Sequence, residues 1–346
     1  MTQIYLIRHG EAEGNIYRRI HGQYNSMLTP AGRAQADCVR SRFADISIDA
    51  CYSSDLTRTS LTARSIYIPK GLSLRRDPAF REVNLGVWED IPFGYLHRYE
   101  EAGIHTFNDN PPCWHGIGAE DFDTYTQRFI EGMKHAAEEN DGGTIAIFCH
   151  GAVMRGTLMR LFYWGHIQDL PYSDNTGVSL LHYEKGEFSA VFVNDNSHLP
   201  QQLSTYYRQS WRRTGQKRNI NLYYEPLSEK HILPSGLVLP EQDSRGVTMV
   251  GILEDRPVGV VSMGAPAGDT GVILGISLDE KLWHQDFSEQ FLGCAISHFR
   301  RLGCKNLEAV PGVYPDDVLH TYDFDETLHR SIDAEAFDWG NSDAQK

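Results

Sequence analysis

Two stretches of the chain share one pattern: residues 4–10 read IYLIRHG, and residues 145–151 read IAIFCHG. Each is a short run of apolar residues that ends in His-Gly, which predicts two buried strands with a histidine at the carboxyl end of each. In a parallel sheet His9 and His150 would then lie at the same edge, where open α/β sheets bind ligands. The glycine after each histidine lets the backbone turn tightly and leaves the imidazole accessible.

Helices and strands alternate through the first 205 residues. Thr29-Pro30 supplies an N-cap and a proline at the first helical position, which starts a helix over about 31–43. Further helices are predicted over about 56–66, 120–139 and 153–163, and further strands over 50–53, 178–183 and 188–193. Residues 69–118 contain five prolines and are predicted to be a long loop, whose second half would cover the site as a lid. This alternation predicts an α/β domain with three layers (α/β/α) and a mostly parallel sheet.

The chain of 346 residues is acidic, with 46 aspartate and glutamate residues against 32 lysine and arginine residues and a net charge of −14. Such a charge disfavours binding to nucleic acid or to anionic membranes. The apolar runs are too short for a transmembrane helix, the first residues lack the pattern of a secretory signal, and six scattered cysteines indicate a reducing compartment. We therefore expect a cytoplasmic protein in which a few placed arginines bind any anionic substrate.

Six short blocks carry a family resemblance. They are, in chain order, LIRHGE at 6–11, LTPAG at 28–32, SSDLTR at 53–58, REVNLGVWE at 81–89, CHGAV at 149–153 and VNDNSHL at 193–199. Together and in this order they resemble the histidine phosphatase superfamily, whose members have the phosphoglycerate mutase-like fold. The resemblance covers residues 1–205 and implies phosphoryl chemistry on a histidine.

The resemblance implies roles for six residues, and the chemistry explains their types. A neutral imidazole can attack phosphorus and form a phosphohistidine, which divides one difficult step into two. Arginine forks suit phosphate oxygens, and a nearby acid must protonate the leaving group and later deprotonate water. By resemblance the nucleophile is His9, the general acid/base is Glu82, and the phosphate-binding residues are Arg8, Arg58, His150 and Asn15. We expect no metal and no other cofactor, because the arginines, together with His150 if it is protonated, supply the positive charge.

The residues around these six bear on two further assignments: which glutamate is the acid/base, and whether the reaction is hydrolysis or mutase transfer. Glu89 is the chief competitor of Glu82 for the acid/base role. The short stretch between Glu82 and His150 resembles the phosphatase branch more than the mutase branch, which has a longer insertion there. We therefore expect hydrolysis of small phosphate monoesters, with a phosphoglycerate-type mutase and a non-catalytic phospho-ligand binding protein as alternatives. The chain also departs from the family pattern at Asp90, where glycine is common.

A second part of the chain follows a basic segment. Residues 206–218 contain five lysines and arginines and are predicted to be a linker. Beyond them, strands are predicted over about 219–224, 247–253, 258–263 and 271–277, then a helix over 285–302 and a strand over 305–310. Residues 219–346 would thus form a smaller α+β domain with an acidic tail.

Residues 271–307 resemble the central part of GNAT-type acetyltransferases. In active members a glycine-rich loop at the helix start binds the pyrophosphate of coenzyme A through backbone N–H groups. Residues 284–289 read HQDFSE here, with no glycine and two carboxylates. We therefore predict a degenerate GNAT-like domain that does not bind acetyl-CoA and serves packing, dimerisation or gating, which leaves a homodimer open. The expected partner of the whole chain is a small phosphorylated metabolite.

Overall fold

The two strands that end in His-Gly are neighbours. A computed structural model describes residues 1–209, 220–279, 282–283, 287–312, 319 and 321–335. In it, β1 (Thr2–Arg8) pairs in parallel with β4 (Thr144–Cys149), and the register places Arg8 opposite Cys149. The next residue of each strand is a histidine, so both histidines leave the sheet at the same edge.

The first sheet has six strands in the order β3-β2-β4-β1-β5-β6. The remaining strands are β2 (Ala50–Ser53), β3 (Leu74–Arg76), β5 (Val178–Glu184) and β6 (Glu187–Asp195). The first four strands in this order pair in parallel, whereas β5 and β6 are antiparallel. Lys185 and Gly186 join β5 to β6 with positive φ at both positions, a tight hairpin turn that forces antiparallel pairing. The sheet is therefore mixed, with three parallel pairs and two antiparallel ones.

Helices pack on both faces of this sheet. They are α1 (Glu13–Ile16), α2 (Pro30–Arg42), α3 (Thr57–Tyr67), α4 (Phe93–Tyr99), α5 (Glu101–Asp109), α6 (Phe122–Glu139), α7 (Gly151–Phe162) and α8 (Thr205–Arg208). Alternate residues of β1 enter different cores: Ile4 and Leu6 pack in one, and Tyr5 and Ile7 in the other. The side chain of Thr29 accepts a hydrogen bond from the N–H of Gly32, as predicted for the N-cap of α2.

The stretch predicted as a lid loop contains two short helices, α4 and α5. Prolines flank them at Pro92 and Pro111, and these prolines hid the helices in the sequence pattern. Leu96 and Ile104 anchor the pair in the core of the first part. The segment over the site is therefore ordered and packed.

A second six-stranded sheet follows, with its strands in the order β12-β11-β10-β9-β8-β7. These are β7 (Tyr223–Pro226), β8 (Val247–Leu253), β9 (Arg256–Met263), β10 (Thr270–Leu278), β11 (Asn306–Ala309) and β12 (His329–Ser331). Helix α9 (Ser288–Arg301) connects β10 to β11, which pair in parallel. The strand predicted over about 219–224 is present, but it begins later, at Tyr223; residue 219 lies outside the described residues.

Parts of the predicted second domain lie outside the described residues. They include 210–218 of the basic linker, 284–286 of the loop before α9, and 336–346 at the end of the acidic tail. The GNAT-like identity and the absence of acetyl-CoA binding stay predictions. None of the helices in the described ranges combines the length and the apolar character that a membrane span requires.

Candidate active site

His9 follows β1 directly and is buried. Its Nδ1 lies 2.7 Å from the carbonyl oxygen of Gly10, which can only accept, so Nδ1 carries the proton and Nε2 keeps its lone pair. Burial, together with the positive charges of Arg58 and Arg8, holds the pKa of His9 well below its usual value. The imidazole is therefore neutral, which is the form that can attack phosphorus.

Glycine at position 10 is required by a close backbone approach. A Cβ atom there would lie 2.6 Å from the carbonyl oxygen of Gly32, at the start of α2. The N–H of Gly10 donates to the Thr62 hydroxyl of α3 at 3.0 Å. The turn after His9 is thus held by contacts with α2 and α3.

Two arginines bring positive charge to His9. The Arg58 guanidinium of α3 is buried and donates to the carbonyls of Gly22 at 2.6 Å and Tyr24 at 3.0 Å. Burial lowers the pKa of Arg58 to about 10, so the group stays charged at neutral pH. Arg8 donates to the carbonyl of Ser173 at 2.6 Å, and its buried Nε has no hydrogen-bond partner among the described residues. Both guanidinium groups are held mainly by carbonyls and keep their charge for an anion.

His150 lies beside His9, with ring centroids 5.2 Å apart. It is fully buried, and neither ring nitrogen has a hydrogen-bond partner in the described part of the chain. Burial, with the charge of Arg58, holds the pKa of His150 well below its usual value. The protonated His150 considered from the sequence is therefore disfavoured. A neutral ring can still donate one N–H to a phosphate oxygen.

Glu82 lies at the amino-terminal end of α7. Its carboxylate accepts hydrogen bonds from the N–H groups of Val153 at 2.6 Å, Ala152 at 2.9 Å and Val83 at 3.0 Å. Burial raises the pKa of Glu82, although these N–H groups and Arg58 favour the ionised form and oppose the shift. A carboxyl group that keeps its proton to higher pH is suited to act as a general acid.

Glu89 has a different environment from Glu82. Its two oxygens accept hydrogen bonds from four backbone N–H groups, at distances of 2.8 to 3.1 Å, which belong to Gly22, Gln23, Tyr24 and Leu85. Three of these residues form the loop whose carbonyls hold Arg58. The geometry favours Glu82 as the acid/base and makes Glu89 a support for the loop.

Asn15 and Asn175 complete the surroundings of His9. The amide oxygen of Asn15 accepts from the N–H of Ala12 at 2.9 Å and from Nδ2 of Asn175 at 3.3 Å, so its own NH₂ group is the one that can serve a ligand. Asn175 also donates to the His9 carbonyl at 3.1 Å. Asn175 was not predicted from the sequence, because it lies in a polar turn with no distinguishing motif.

A cavity of about 480 Å³ joins these groups. Five of the six predicted site residues line it, namely Arg8, His9, Asn15, Arg58 and Glu82. The sixth, His150, contacts the ring of His9 edge-on. Helices α4 and α5 contribute an apolar wall from Phe93, Ile104 and Phe107. The cavity is also lined by Arg19, His21 and Arg155, which the sequence analysis did not assign to the site.

Residues 4–196 match the sequence model of the Histidine phosphatase superfamily (branch 1). The chain belongs to this superfamily. Residues 197–346 lie outside the match. Within the described ranges no three His, Cys, Asp or Glu side chains are grouped as a metal site would require.

Relatives within the superfamily include both mutases and phosphatases. Over 101 residues the chain is 46% identical to a probable phosphoglycerate mutase GpmB of Yersinia pestis, which is 29% of this chain and 47% of that protein. The chain spans about half the length of the curated relatives it matches. Among solved structures, Bacillus stearothermophilus YhfR has a TM-score of 0.55 and 27% identity over 57% of this chain and 99% of that one. A phosphoserine phosphatase from Entamoeba histolytica, solved with 3-phosphoglyceric acid, has a TM-score of 0.50 and 25% identity over 58% of this chain and 100% of that one.

Proposed function

We propose that this protein is a phosphoric monoester hydrolase that works through a phosphohistidine on His9. The observation that carries the proposal is the neutral His9, whose Nε2 is unprotonated, in a cavity that also contains two charged guanidinium groups and a carboxyl group of raised pKa. A nucleophile, fixed positive charge and a proton donor are the three requirements of phosphoryl transfer from an ester.

In the first step Nε2 of His9 forms a bond to phosphorus while the bond from phosphorus to the ester oxygen breaks. Protonated Glu82 gives its proton to the departing oxygen, and the alcohol leaves. Arg8, Arg58, His150 and the amide of Asn15 bind the equatorial oxygens, where charge accumulates. In the second step Glu82, now a carboxylate, takes a proton from water as the water oxygen attacks phosphorus and the bond to Nε2 breaks.

The shape of the cavity favours a small ester with an apolar portion. Its apolar wall of Phe93, Ile104 and Phe107 lies in the same cavity as the phosphate-binding end. The expected substrates are therefore phosphate monoesters of small alcohols or phenols. Because the arginines supply the charge, we expect turnover to need no added metal.

The first test is phosphate release from an aryl phosphate and from a panel of phosphorylated metabolites, with a chelator present. We expect His9→Ala to reduce the rate of phosphate release by about a thousandfold or more, because the covalent route is removed. The matched control is His135→Ala, which changes a histidine on the exposed face of α6. Full turnover by His9→Ala would refute the mechanism. Tight binding of phosphate without turnover would instead favour a phospho-ligand binding protein.

A phosphoglycerate-type mutase is the second candidate, because the curated relatives are described as probable phosphoglycerate mutases. A mutase must protect phosphohistidine from water, and a short lid does this poorly. The two candidates separate with phosphoglycerate labelled in its phosphate. Transfer of label between positions without release to water would identify a mutase, and release as inorganic phosphate would identify a hydrolase.

The predictions for the rest of the chain stay with this proposal. We expect a degenerate acetyltransferase-like second domain that does not bind acetyl-CoA, in a cytoplasmic protein. Calorimetric titration of the full chain with acetyl-CoA tests the first expectation, and saturable binding would contradict it.

A further inference from the structure

Glu13 is a buried carboxylate whose charge is neutralised by the C-terminal part of the chain. It lies in α1 and is only 1% exposed. Nη1 of Arg300, in α9, donates to its Oε2 at 2.8 Å, and Arg330, in β12, donates to its Oε1. Arg330 also donates to the hydroxyl of Tyr17 at 2.7 Å. Without these two arginines a buried charge would remain unpaired, which is strongly unfavourable.

Asp90 is the second buried carboxylate that α9 contacts. Its Oδ2 accepts from the Ser297 hydroxyl at 2.5 Å and from Arg301 at 3.2 Å, and its Oδ1 accepts from Nε of Arg19 at 2.6 Å. Its backbone has a φ of 58°, in the left-handed region that glycine adopts most readily. Aspartate tolerates this backbone at some cost, and its carboxylate makes contacts that a glycine could not make.

Both carboxylates lie behind the wall of the phosphate-binding end of the cavity. Glu13 begins the short helix that carries Asn15, and Asp90 binds Arg19, which lines the cavity. His21 also lines the cavity, with Nε2 3.5 Å from Oδ1 of Asp90. The segment from 13 to 24 therefore has the phosphate pocket on one side and α9 on the other.

This segment also orients Arg58. The guanidinium of Arg58 donates to the carbonyls of Gly22 and Tyr24, so its position follows the position of the segment. Packing alone joins the two parts as well: a Cβ atom at Gly293 of α9 would lie 2.3 Å from Cβ of Tyr17. A simple packing role and a positioning role must therefore be separated by experiment.

We propose that α9 is a positioning element of the phosphate pocket, which acts on segment 13–24 through the ion clusters centred on Glu13 and Asp90. Ser297, Arg300 and Arg301 are then positioning residues. They touch no reacting atom, and they fix the groups that bind phosphate. The inference rests on the proposed function only in taking this cavity as a phosphate site.

The most selective perturbation is Ser297→Ala. It removes one buried hydroxyl that contacts both Asp90 and Nη2 of Arg19, the latter at 2.9 Å. The matched control is His298→Ala, the next residue of α9, whose ring lies against Phe299 of the same helix. We expect Ser297→Ala to weaken the binding of inorganic phosphate, measured by calorimetry, about fivefold or more. The melting temperature should fall no further than in the control.

A double-mutant cycle with Asp90→Gly separates positioning from packing. Glycine suits the backbone at this position and removes the carboxylate that accepts from Ser297, while the longer contact from Arg19 to the Ser297 hydroxyl remains. In the Asp90→Gly background, Ser297→Ala should change phosphate affinity less than twofold. An unchanged affinity in the single variant, or an equal loss in both backgrounds, would overturn the proposal.

A replacement variant and a readout that does not require turnover keep the test decisive. If Ser297→Ala does not fold, Arg301→Gln takes its place in the same cycle, because that side chain is more than half exposed. Phosphate binding is read without turnover, so an inactive wild-type protein would count against the proposed hydrolase and leave the cycle interpretable. Wild-type hydrolysis with no effect of Ser297→Ala would count against the positioning role alone.

Discussion

Glu82→Gln tests the assignment of the proton donor. The amide keeps the shape of the carboxyl group and cannot give up a proton. General acid catalysis contributes about 10²–10⁴-fold to a rate, so kcat/KM for an alkyl phosphate should fall by about that factor. A nitrophenyl phosphate has a leaving group that needs no proton, and its kcat/KM should fall less than about tenfold. kcat/KM is the right quantity because it reports the step that forms phosphohistidine.

The pH dependence gives a second reading of the same substitution. Burial raises the pKa of Glu82, so the protonated acid persists above the usual value for glutamate of about 4.3. As the pH rises through the raised pKa, the wild-type kcat/KM for an alkyl phosphate should fall. The ratio of wild type to Glu82→Gln should therefore be highest at low pH and decline as the pH rises. Ionisation of the substrate cancels in this ratio.

The structure also sets the expected change in stability. The Glu82 oxygens accept three N–H groups, and the glutamine NH₂ would face the N–H of Ala152, which costs about 1–3 kcal/mol. In the wild type a raised folded-state pKa means that stability from this group is present at low pH and is lost as the pH rises through that pKa. Wild type should thus exceed Glu82→Gln in free energy of unfolding by more at pH 5 than at pH 8. Equal loss on both substrates, with an unchanged pH profile, would refute the assignment.

Three more outcomes follow from the same contacts. Arg58→Lys should reduce kcat/KM by about a hundredfold or more, because a lysine cannot donate to two carbonyls and also bind phosphate. Arg64→Lys on the same helix is the control and should keep a kcat/KM near the wild-type value. Equal effects in the two variants would contradict a phosphate-binding role for Arg58. Glu89→Gln should lower the free energy of unfolding by about 1–3 kcal/mol for each N–H group left unpaired, and it should keep the wild-type pH dependence of kcat/KM. Loss of that pH dependence in this variant would return the acid/base role to Glu89. The positive charges of their partners outweigh burial and hold the pKa values of Glu13 and Asp90 below their usual ranges, so both contribute stability above the unfolded pKa values of about 4. Thermal melts should show that stability is lost as the pH falls below about 5. In the double variant with Glu13→Gln and Asp90→Asn, the melting temperature should depend less steeply on pH in this range. An unchanged dependence would contradict the assignment of this acid sensitivity to Glu13 and Asp90.

Local signals in the sequence located most of the site. The His-Gly ends of two apolar strands predict adjacent histidines, because side chains at the carboxyl ends of neighbouring parallel strands meet at one edge. The blocks around Arg58 and Glu82 could be identified because each is a short run of adjacent residues. The same reasoning located the N-cap at Thr29, where one side chain satisfies a backbone N–H close in sequence.

Other features depend on partners that are distant along the chain. Glu82 and Glu89 lie in the same short block of sequence, and the fold shows that one lines the cavity while the other accepts four N–H groups. The charge state of His150 likewise depends on burial and on the positions of arginines from other elements. The helices α4 and α5 were hidden because their stability comes from packing against the core and is not evident in their own pattern.

The sequence by itself determined the superfamily resemblance, the two strands that end in His-Gly and the residue types that phosphoryl transfer needs, because these are encoded in neighbouring residues. Only the tertiary structure decided how the two parts of the chain meet. The pairing of Glu13 with Arg300 joins residues 287 positions apart, and Asp90 with Ser297 joins residues 207 apart. No local pattern specifies such pairs, since burying a carboxylate becomes favourable only when the folded chain brings an opposite charge or a donor to it.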